Sequence, residues 1–493
     1  MDKFRYRRYI QARQGTRWAT PDEIRRSGTR ILTQEENCPA AGLPLLSDGI
    51  EAWVDDSDTH SMIFGTTGSK KTRMFCMPML GMFIKAGESF ITTDPKGELY
   101  QRSAGLAKEQ GYRTIVLDFR NVGRGDMWNP LSLPYELYHS GQQEAAVSRL
   151  NDFVRTLAEP QLASTQDPFW AEMASSYALA NLMLLMECGD KSEVNVISLS
   201  RLCSMDVEDK LREISAQMSV YSIAGMNYKG VLTAAEKTRQ SIYVTLYGML
   251  RVFNTQRQLA GMLSDSSFDI ADIGREKTAV YIIVPDEKTT LHFLATTFIK
   301  QAYEILVTEA QQQPGGQLRR RVNFLLDEFC NMPKIPDIPS MISAARSRNM
   351  RFFLVAQSLH QLRGRYGEDA DTIKGNCENW VFLASRELDL LREISELCGA
   401  SITADGSERP LISISELQRL SKEKGEALIL HGRLYPFISE MPDIDSYEAF
   451  AVRSFPGKEE VTQPKYKIFS VDAFYNRLLD GSVPIPFPKQ EDE

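Results

Sequence analysis

One stretch of the sequence decides the fold: MIFGTTGSKKT, at residues 62–72. It reads as a short apolar strand, a tight loop and the start of a helix, and it matches the phosphate-binding pattern G-x-x-x-x-G-K-[ST] at Gly65, Lys71 and Thr72. In such a loop, successive backbone N–H groups and the helix N-terminus surround a phosphate. The predicted nucleotide-binding residues are Gly65, Thr66, Thr67, Gly68, Ser69, Lys70, Lys71 and Thr72.

Lys71 and Thr72 have side chains with predicted roles, and a third residue, Lys70, departs from the pattern. Lys71 is predicted to pair with the β- and γ-phosphates, and Thr72 to place its hydroxyl on Mg²⁺. Lys70 stands where the second fixed glycine belongs. That glycine permits backbone angles that cost a residue with a side chain on the order of 1 kcal/mol. Because Lys70 keeps its backbone N–H, we expect the loop to bind nucleotide. The missing glycine puts ATP turnover in question.

The second half of the predicted site is VNFLLDE at residues 322–328, an apolar strand that ends in two acids. Asp327 is predicted to hold the metal, and Glu328 to act as the general base that activates water. A following strand ends at Gln357, whose side chain is placed to sense the γ-phosphate. Between them lies Arg346, which we expect to reach a neighbouring subunit's nucleotide.

Short runs rich in β-forming residues recur along the chain, and most are continuously apolar, as in strands that are buried on both faces of a sheet. The predicted strands are 61–64, 89–93, 114–118, 279–284, 322–326, 352–356, 380–384 and 427–430. Helical patterns separate them, which favours an α/β fold with a mostly parallel sheet. From Pro130 to about Asp272 only helical patterns occur, so an all-α domain is predicted to interrupt the sheet domain.

Composition limits the function classes. The formal net charge is −8, which argues against a chain coated in nucleic acid, but residues 1–30 hold nine Lys or Arg against three Asp or Glu. We therefore expect any polyanion to meet the N-terminus or a local channel. The seven cysteines are scattered, without the spacing of a disulfide framework or a zinc site. The longest apolar stretches, 74–84 and 177–186, are too short to span a bilayer.

Several short motifs occur in an order that resembles the type IV coupling proteins, the TraG/TraD-like DNA-transfer ATPases of conjugation and type IV secretion. The motifs beyond residues 65–72 are GTRWAT at 15–20, DPKGEL at 94–99, WNPL at 128–131, DPFW at 167–170, KTR at 237–239, IVPD at 283–286, DEF at 327–329 and QS at 357–358. The resemblance implies a RecA-like P-loop domain with an inserted all-α domain, ATP and Mg²⁺ as ligands, and a homo-hexamer. It also implies that Arg346 matches the interface arginine and Gln357 the sensor.

The expected domain division is a basic arm at 1–45, a RecA-like domain at 46–168 and 266–455, an all-α insertion at 169–265, and a C-terminal extension at 456–493 with a disordered acidic tail from Ser482. The sequence begins where the cytosolic part of such proteins would begin. We therefore expect a cytoplasmic protein that is held at the inner face of the membrane by a separate anchor protein, or one that works detached from the membrane.

The leading hypothesis is an ATP-dependent coupling protein that recruits relaxase–DNA or protein substrate and drives it towards a type IV secretion or conjugation channel. Its predicted partners are single-stranded or relaxase-bound DNA, relaxosome proteins and the channel. Two alternatives stay open. One is a nucleotide-gated docking receptor with little or no hydrolysis, and the other is a DNA translocase or helicase unrelated to secretion.

Overall fold

The structure is a computed structural model that describes residues 14–164, 167–402, 407–453, 457 and 466–489. The chain forms two compact units, the first drawn from residues 1–116 and 270–457 and the second from 117–269 and 458–493. Of the predicted basic arm, residues 1–13 lie outside the described part. In the described ranges, no helix is both long and apolar enough to cross a membrane.

The described residues contain fifteen strands. In chain order these are β1 (Gln14–Gly15), β2 (Thr29–Leu32), β3 (Leu43–Ser47), β4 (Glu51–Asp55), β5 (Ser61–Phe64), β6 (Ser89–Thr93), β7 (Arg113–Asp118), β8 (Thr278–Ile283), β9 (Val322–Leu326), β10 (Met350–Ala356), β11 (Asn379–Phe382), β12 (Ala400–Ile402), β13 (Glu408–Pro410), β14 (Glu426–His431) and β15 (Phe437–Glu440).

The same ranges contain nineteen α-helices. They are α1 (Pro21–Arg26), α2 (Met77–Ala86), α3 (Glu98–Glu109), α4 (Ser132–His139), α5 (Gln143–Ser164), α6 (Phe169–Cys188), α7 (Val196–Leu202), α8 (Glu208–Gln217), α9 (Ile223–Leu232), α10 (Glu236–Thr255), α11 (Arg257–Met262), α12 (Asp272–Arg275), α13 (His292–Gln312), α14 (Ile338–Ala345), α15 (Leu359–Tyr366), α16 (Asp369–Asn376), α17 (Leu388–Leu397), α18 (Ile414–Leu417) and α19 (Val471–Leu479).

A nine-stranded sheet organises the first unit, with the order β15-β14-β11-β5-β10-β9-β6-β8-β7. The strands from β11 to β8 pair in parallel, whereas β14 and β15 add to the β11 edge in antiparallel register. All eight predicted strands are present in this sheet, with bounds that differ by no more than two residues. The sheet and the helical second unit confirm the predicted α/β class with an all-α insertion.

Both faces of the sheet are buried, which explains why its strands are continuously apolar. On one face the Phe83 ring of α2 packs 5.5 Å from Phe353 of β10. On the other face Phe352 stacks 4.6 Å from Phe324 of β9 and lies 6.3 Å from Tyr303 of α13. Successive residues of β10 therefore point into two different cores, as the period of two in a strand requires.

A buried arginine lies inside β10. Arg351 is 1% exposed, and its guanidinium donates hydrogen bonds to the Asn323 side-chain oxygen of β9 at 2.8 Å and to the Ala41 carbonyl at 3.0 Å. It also donates to the Glu88 carboxylate at 2.6 Å. A buried charge is tolerated only when it is paired and hydrogen-bonded in this way. Arg351 therefore joins β10 to its neighbouring strand β9 and to the residues that precede β3 and β6.

The second unit is helical and is built around α6. The rings of Tyr177 (α6), Tyr228 (α9) and Tyr243 (α10) pack together, with centroid distances of 5.9 Å and 5.2 Å from Tyr177. The Tyr228 hydroxyl donates to the Asn181 side-chain oxygen at 2.9 Å, so this aromatic centre also satisfies a buried polar group.

The boundaries of this unit differ from the predicted ones. The predicted insertion begins at 169, whereas the structure starts the helical unit at Leu117 and includes α4 and α5, both of which contact α6. The return at Ile270 lies close to the predicted 266. The reason is physical: an apolar helical stripe shows that a helix has a buried face and does not show which body that face packs on.

The C-terminal prediction is wrong over the residues that the structure describes. Residues 482–489 were expected to be a disordered tail, yet the Ser219 N–H donates to the Phe487 carbonyl at 2.7 Å, and Met218 forms an antiparallel bridge with Pro488. Proline-rich composition indicated disorder, but main-chain pairing with the helical unit fixes this segment. Residues 490–493 lie outside the described part.

We predict that Arg351→Met lowers the free energy of unfolding by about 3–5 kcal/mol, because it leaves the buried Asn323 side-chain oxygen without its donor and removes the buried positive charge that pairs with Glu88. Chemical denaturation measures the change. Arg392→Met is the matched control, since Arg392 is exposed on α17 and its ion pair with Asp389 is also at the surface, so its cost is expected below about 1 kcal/mol. Equal effects of the two variants would contradict the stabilising role of the buried Arg351 hydrogen bonds.

Candidate functional site

The predicted phosphate loop follows β5 and is anchored at both neighbouring strands. The Gly65 N–H donates to the Ala356 carbonyl at the end of β10 at 3.2 Å, and the Thr66 N–H to the Ala384 carbonyl after β11 at 3.0 Å. A Cβ on Gly65 would meet the Ser69 hydroxyl at 2.4 Å, so only glycine fits there. The carboxyl ends of three strands thus fix the start of the loop.

Backbone conformation in the loop is what anion binding needs. Gly68 has φ +77° and Lys70 has φ +68°, both in the left-handed region. Alternation of this kind turns successive N–H groups towards one concave surface. A five-residue π-helical turn, Thr72–Cys76, follows and leads into α2. Lys70 therefore adopts the conformation that glycine would take.

The Lys70 side chain points away from the loop, towards Asp443 in the segment after β15. Its Nζ lies 3.4 Å from the Asp443 carboxylate, which Arg73 also contacts through Nε at 2.9 Å and 3.0 Å. Although partial burial acts to raise the pKa of Asp443, the hydrogen bonds and charge of Arg73 hold it below its ordinary value. Asp445 extends this cluster by binding Arg73 and, at 2.7 Å, Arg102.

Lys71 is 5% exposed, and its ammonium donates to the Gly65 carbonyl and, at 3.4 Å, to the Thr66 carbonyl. An ammonium that donates to these carbonyls lies beside the loop, where it can exchange them for phosphate oxygens as acceptors. The predicted role of Lys71 at the β- and γ-phosphates stays a prediction.

The two predicted metal ligands are brought together, because the Thr72 hydroxyl donates to the Asp327 carboxylate at 3.1 Å. Burial, with a smaller contribution from the neighbouring Glu328 charge, raises the pKa of Asp327 to about 6, whereas Lys71 acts to lower it. Among the described residues, no group of three or more His, Cys, Asp or Glu could hold a metal ion. One carboxylate and one hydroxyl fit Mg²⁺, which takes few protein ligands beside phosphate and water.

Glu328, the predicted general base, is held by two amides. Its Oε2 accepts from Gln357 Nε2 at 2.8 Å and from Asn331 Nδ2 at 2.9 Å. The Thr67 hydroxyl donates to Gln357 Oε1 at 3.3 Å. A hydrogen-bonded line therefore runs from the loop through Gln357 to Glu328, which has the strained left-handed φ of +53°.

Three placements qualify the sequence predictions. Arg346 lies before the amino end of β10, whereas Gln357 follows the carboxyl end of that strand. Arg346 pairs with Glu378, so the structure does not bring it to the loop of its own chain. Asp94 caps α3 by accepting from the Tyr100 N–H at 2.8 Å, and burial raises its pKa to about 6. Asn331 was missed by sequence reasoning; it lies three residues beyond Glu328, and no motif marks it.

The family model described as type IV secretory system conjugative DNA transfer matches residues 18–425. The chain is 22% identical over 360 residues to the conjugal transfer protein TraG of Rhizobium radiobacter, covering 71% of this chain and 54% of that protein. It is 31% identical over 138 residues to the protein VirD4 of Rhizobium rhizogenes, covering 28% of this chain and 20% of that protein. The chain thus spans about half the length of the TraG protein it matches.

A solved structure also resembles this chain. The plasmid coupling protein TrwB, in complex with the non-hydrolysable ATP analogue ADPNP, matches with a TM-score of 0.64 and 15% sequence identity. The match covers 94% of this chain and 100% of that chain. At this identity the likeness concerns the fold, and it confirms the predicted RecA-like class.

We predict that Lys70 and Asp443 are energetically coupled. Asp443→Asn should lower the free energy of unfolding by about 0.2–1 kcal/mol more in the native chain than in a Lys70→Gly background. The Arg73–Asp443 pair is lost in both backgrounds, whereas the Lys70–Asp443 pair is present only in the native chain. Chemical denaturation of the two single variants and the double variant gives the coupling energy. Asp445→Asn is the control, since Asp445 binds Arg73 and Arg102, and its effect should be equal in both backgrounds. Additive effects for Asp443→Asn would contradict the coupling.

Proposed function

Because the chain belongs to the type IV secretory system conjugative DNA transfer family, we propose that it is an ATP-dependent coupling protein. In this proposal it recruits relaxase-bound DNA or a protein substrate and drives it towards a type IV secretion or conjugation channel. One observation carries the proposal: the hydrogen-bonded line from Thr67 through Gln357 to Glu328. Through these hydrogen bonds, nucleotide binding at the loop can change the orientation of Glu328, the residue proposed to activate water.

The side chains fit ATP with Mg²⁺, and the similar TrwB protein was solved with an ATP analogue. The loop N–H groups and Lys71 hold the β- and γ-phosphates, while Thr72 and Asp327 hold the metal. Mg²⁺, when bound, neutralises charge on the phosphate oxygens. Glu328 takes a proton from the attacking water. The water oxygen bonds to the γ-phosphorus as the bond from that phosphorus to the leaving ADP oxygen breaks. Gln357 and Asn331 orient the Glu328 carboxylate.

An assembled ring completes this chemistry. A positive side chain supplied by a neighbouring subunit stabilises the transition-state charge of phosphoryl transfer. Arg346 is the residue proposed for this role, because it is half exposed and lies at the sheet edge away from its own loop. A homo-hexamer, in which each interface joins one loop to one Arg346, is the assembly proposed.

Substrate recognition is assigned to the helical unit. It has an apolar groove of about 700 Å³ between α7, α10 and Ile468. Val244 and Tyr247 line the groove and are 71% and 63% exposed. Exposed apolar surface of this extent is typical of protein-binding sites. A coupling role further implies that the protein works at the inner face of the membrane beside the channel, held there by a membrane protein partner.

We predict DNA-stimulated ATP hydrolysis by the purified protein, and a fall in kcat of about 10²–10⁴-fold in Glu328→Gln because that variant has no general base. Phosphate release with and without single-stranded and double-stranded DNA measures it. Glu423→Gln, an exposed acid beyond β13, is the control and should behave like the native chain. If the native protein hydrolyses no ATP and Lys70→Gly restores turnover, the docking-receptor alternative replaces the motor.

We predict that Arg346 acts across the subunit interface. Arg346→Ala and Glu328→Gln should each be inactive alone, and mixing them should restore activity. In rings assembled at random from equal amounts of the two variants, about a quarter of the interfaces pair an intact Glu328 with an intact Arg346. Hydrolysis measured across mixing ratios tests this, with Arg348→Ala as the control because its guanidinium donates to the Ala344 carbonyl of its own chain. Mixtures that stay inactive would contradict a role in trans.

A further inference from the structure

A rigid turn, residues 421–426, lies beside the phosphate loop at the start of β14. The Ser421 N–H donates to the Glu426 carboxylate at 2.8 Å, and the Glu426 N–H donates back to the Ser421 carbonyl at 2.9 Å. Gly425 has φ +72°, and a Cβ there would meet the Met441 carbonyl at 2.1 Å. These constraints fix the backbone that carries Lys422.

Lys422 reaches the phosphate loop from this turn. Its Nζ lies 3.9 Å from the point where a Cβ on Gly68 would stand. Among the described residues, no carboxylate forms an ion pair with it. An ammonium that forms no ion pair and lies beside a loop with left-handed backbone is placed as a phosphate-binding group would be.

A cavity of about 190 Å³ separates the turn from the loop. Its lining includes Gly68, Ser69, Ala384, Lys422 and Glu426. The Ser69 side chain is 6% exposed, and its hydroxyl has no hydrogen-bond partner. This hydroxyl is enclosed by the loop and lies 2.4 Å from the point where a Cβ on Gly65 would stand. Lys422 is the residue that offers a positive charge to the cavity.

The sheet order says which part of a nucleotide lies here. The acids of β9 and Gln357 of β10 lie on one side of β5, and they mark the γ-phosphate end. Ala384 follows β11 and Glu426 begins β14, on the other side of β5. A triphosphate that lies along the loop therefore leaves towards β11 and β14 with its α-phosphate and ribose.

We propose that Lys422 is a nucleotide-binding residue whose ammonium holds the α-phosphate. The proposal rests on the proposed function, because it assumes that the loop holds a nucleotide. Lys422 binds a group that is common to ATP and ADP, so it contributes to affinity equally before and after hydrolysis. It is therefore distinct from the residues of β9 and β10, which distinguish the two nucleotides.

The test is calorimetric titration of the full chain with Mg²⁺-ADP and with Mg²⁺-ADPNP. Lys422→Gln should weaken both about tenfold and to the same extent, because a charge-assisted hydrogen bond is lost from their shared part. Lys422→Arg should restore most of the affinity. Lys424→Gln is the matched control, since it removes an exposed lysine of the same turn and should leave both affinities unchanged. The Tm without nucleotide should be unaffected in all three variants.

Each other outcome decides against the proposal in a recognisable way. A loss confined to ADPNP would place the ammonium at the γ-phosphate and overturn the assignment. Unchanged affinities in Lys422→Gln would overturn the role of Lys422 and leave the proposed function intact, since the native protein still binds nucleotide. A native protein that binds neither nucleotide would overturn the proposed function and this inference together.

Discussion

The parallel register of β9, β10 and β5 is the constraint on which the site depends. Leu354 lies opposite Leu326, and Ala356 opposite Phe64. This register brings the residues that follow each strand to one edge, and a slip of one residue would move them by about 3.3 Å and turn alternate side chains to the other face. The bonds from Thr72 to Asp327 and from Gln357 to Glu328 would not survive it. Arg351 opposes that slip, because its hydrogen bond to Asn323 of β9 forms in only one register.

The parts of the molecule that short segments encode could be predicted from the sequence. The eight strands carry their own apolar runs, the loop carries its glycines, and the acids follow directly on β9. The parallel rule then places Gln357 beside Glu328, since adjacent parallel strands end at the same edge. Seven of the described strands were missed. β15 pairs in antiparallel fashion at the edge of the large sheet, and the small sheet β2-β4-β3 contains Pro44 beside an irregular register. The sheet β1-β12-β13 has strands of only two or three residues, which are too short to show a period.

The parts that distant segments build could not be predicted. Lys70 is separated from Asp443 by more than 370 residues, and Lys422 reaches Gly68 only because β14 lies next to β11. No motif marks either contact. The departure at Lys70 is therefore interpreted differently once the fold is known. The lysine accepts the left-handed conformation at a cost of about 1 kcal/mol, its side chain is stabilised by Asp443 outside the loop, and the N–H groups of the loop are kept.

The same geometry places Arg346 and Gln357 at opposite ends of one strand. β10 has seven residues and spans about 23 Å, with Arg346 before it and Gln357 after it. No arginine side chain bridges that distance, so Arg346 cannot serve the loop of its own chain. Lys422 lies on the nucleoside side and does not replace it. If Arg346 stabilises the transition-state charge of ATP hydrolysis, as proposed, it does so at the loop of a second copy, and turnover is then coupled to assembly.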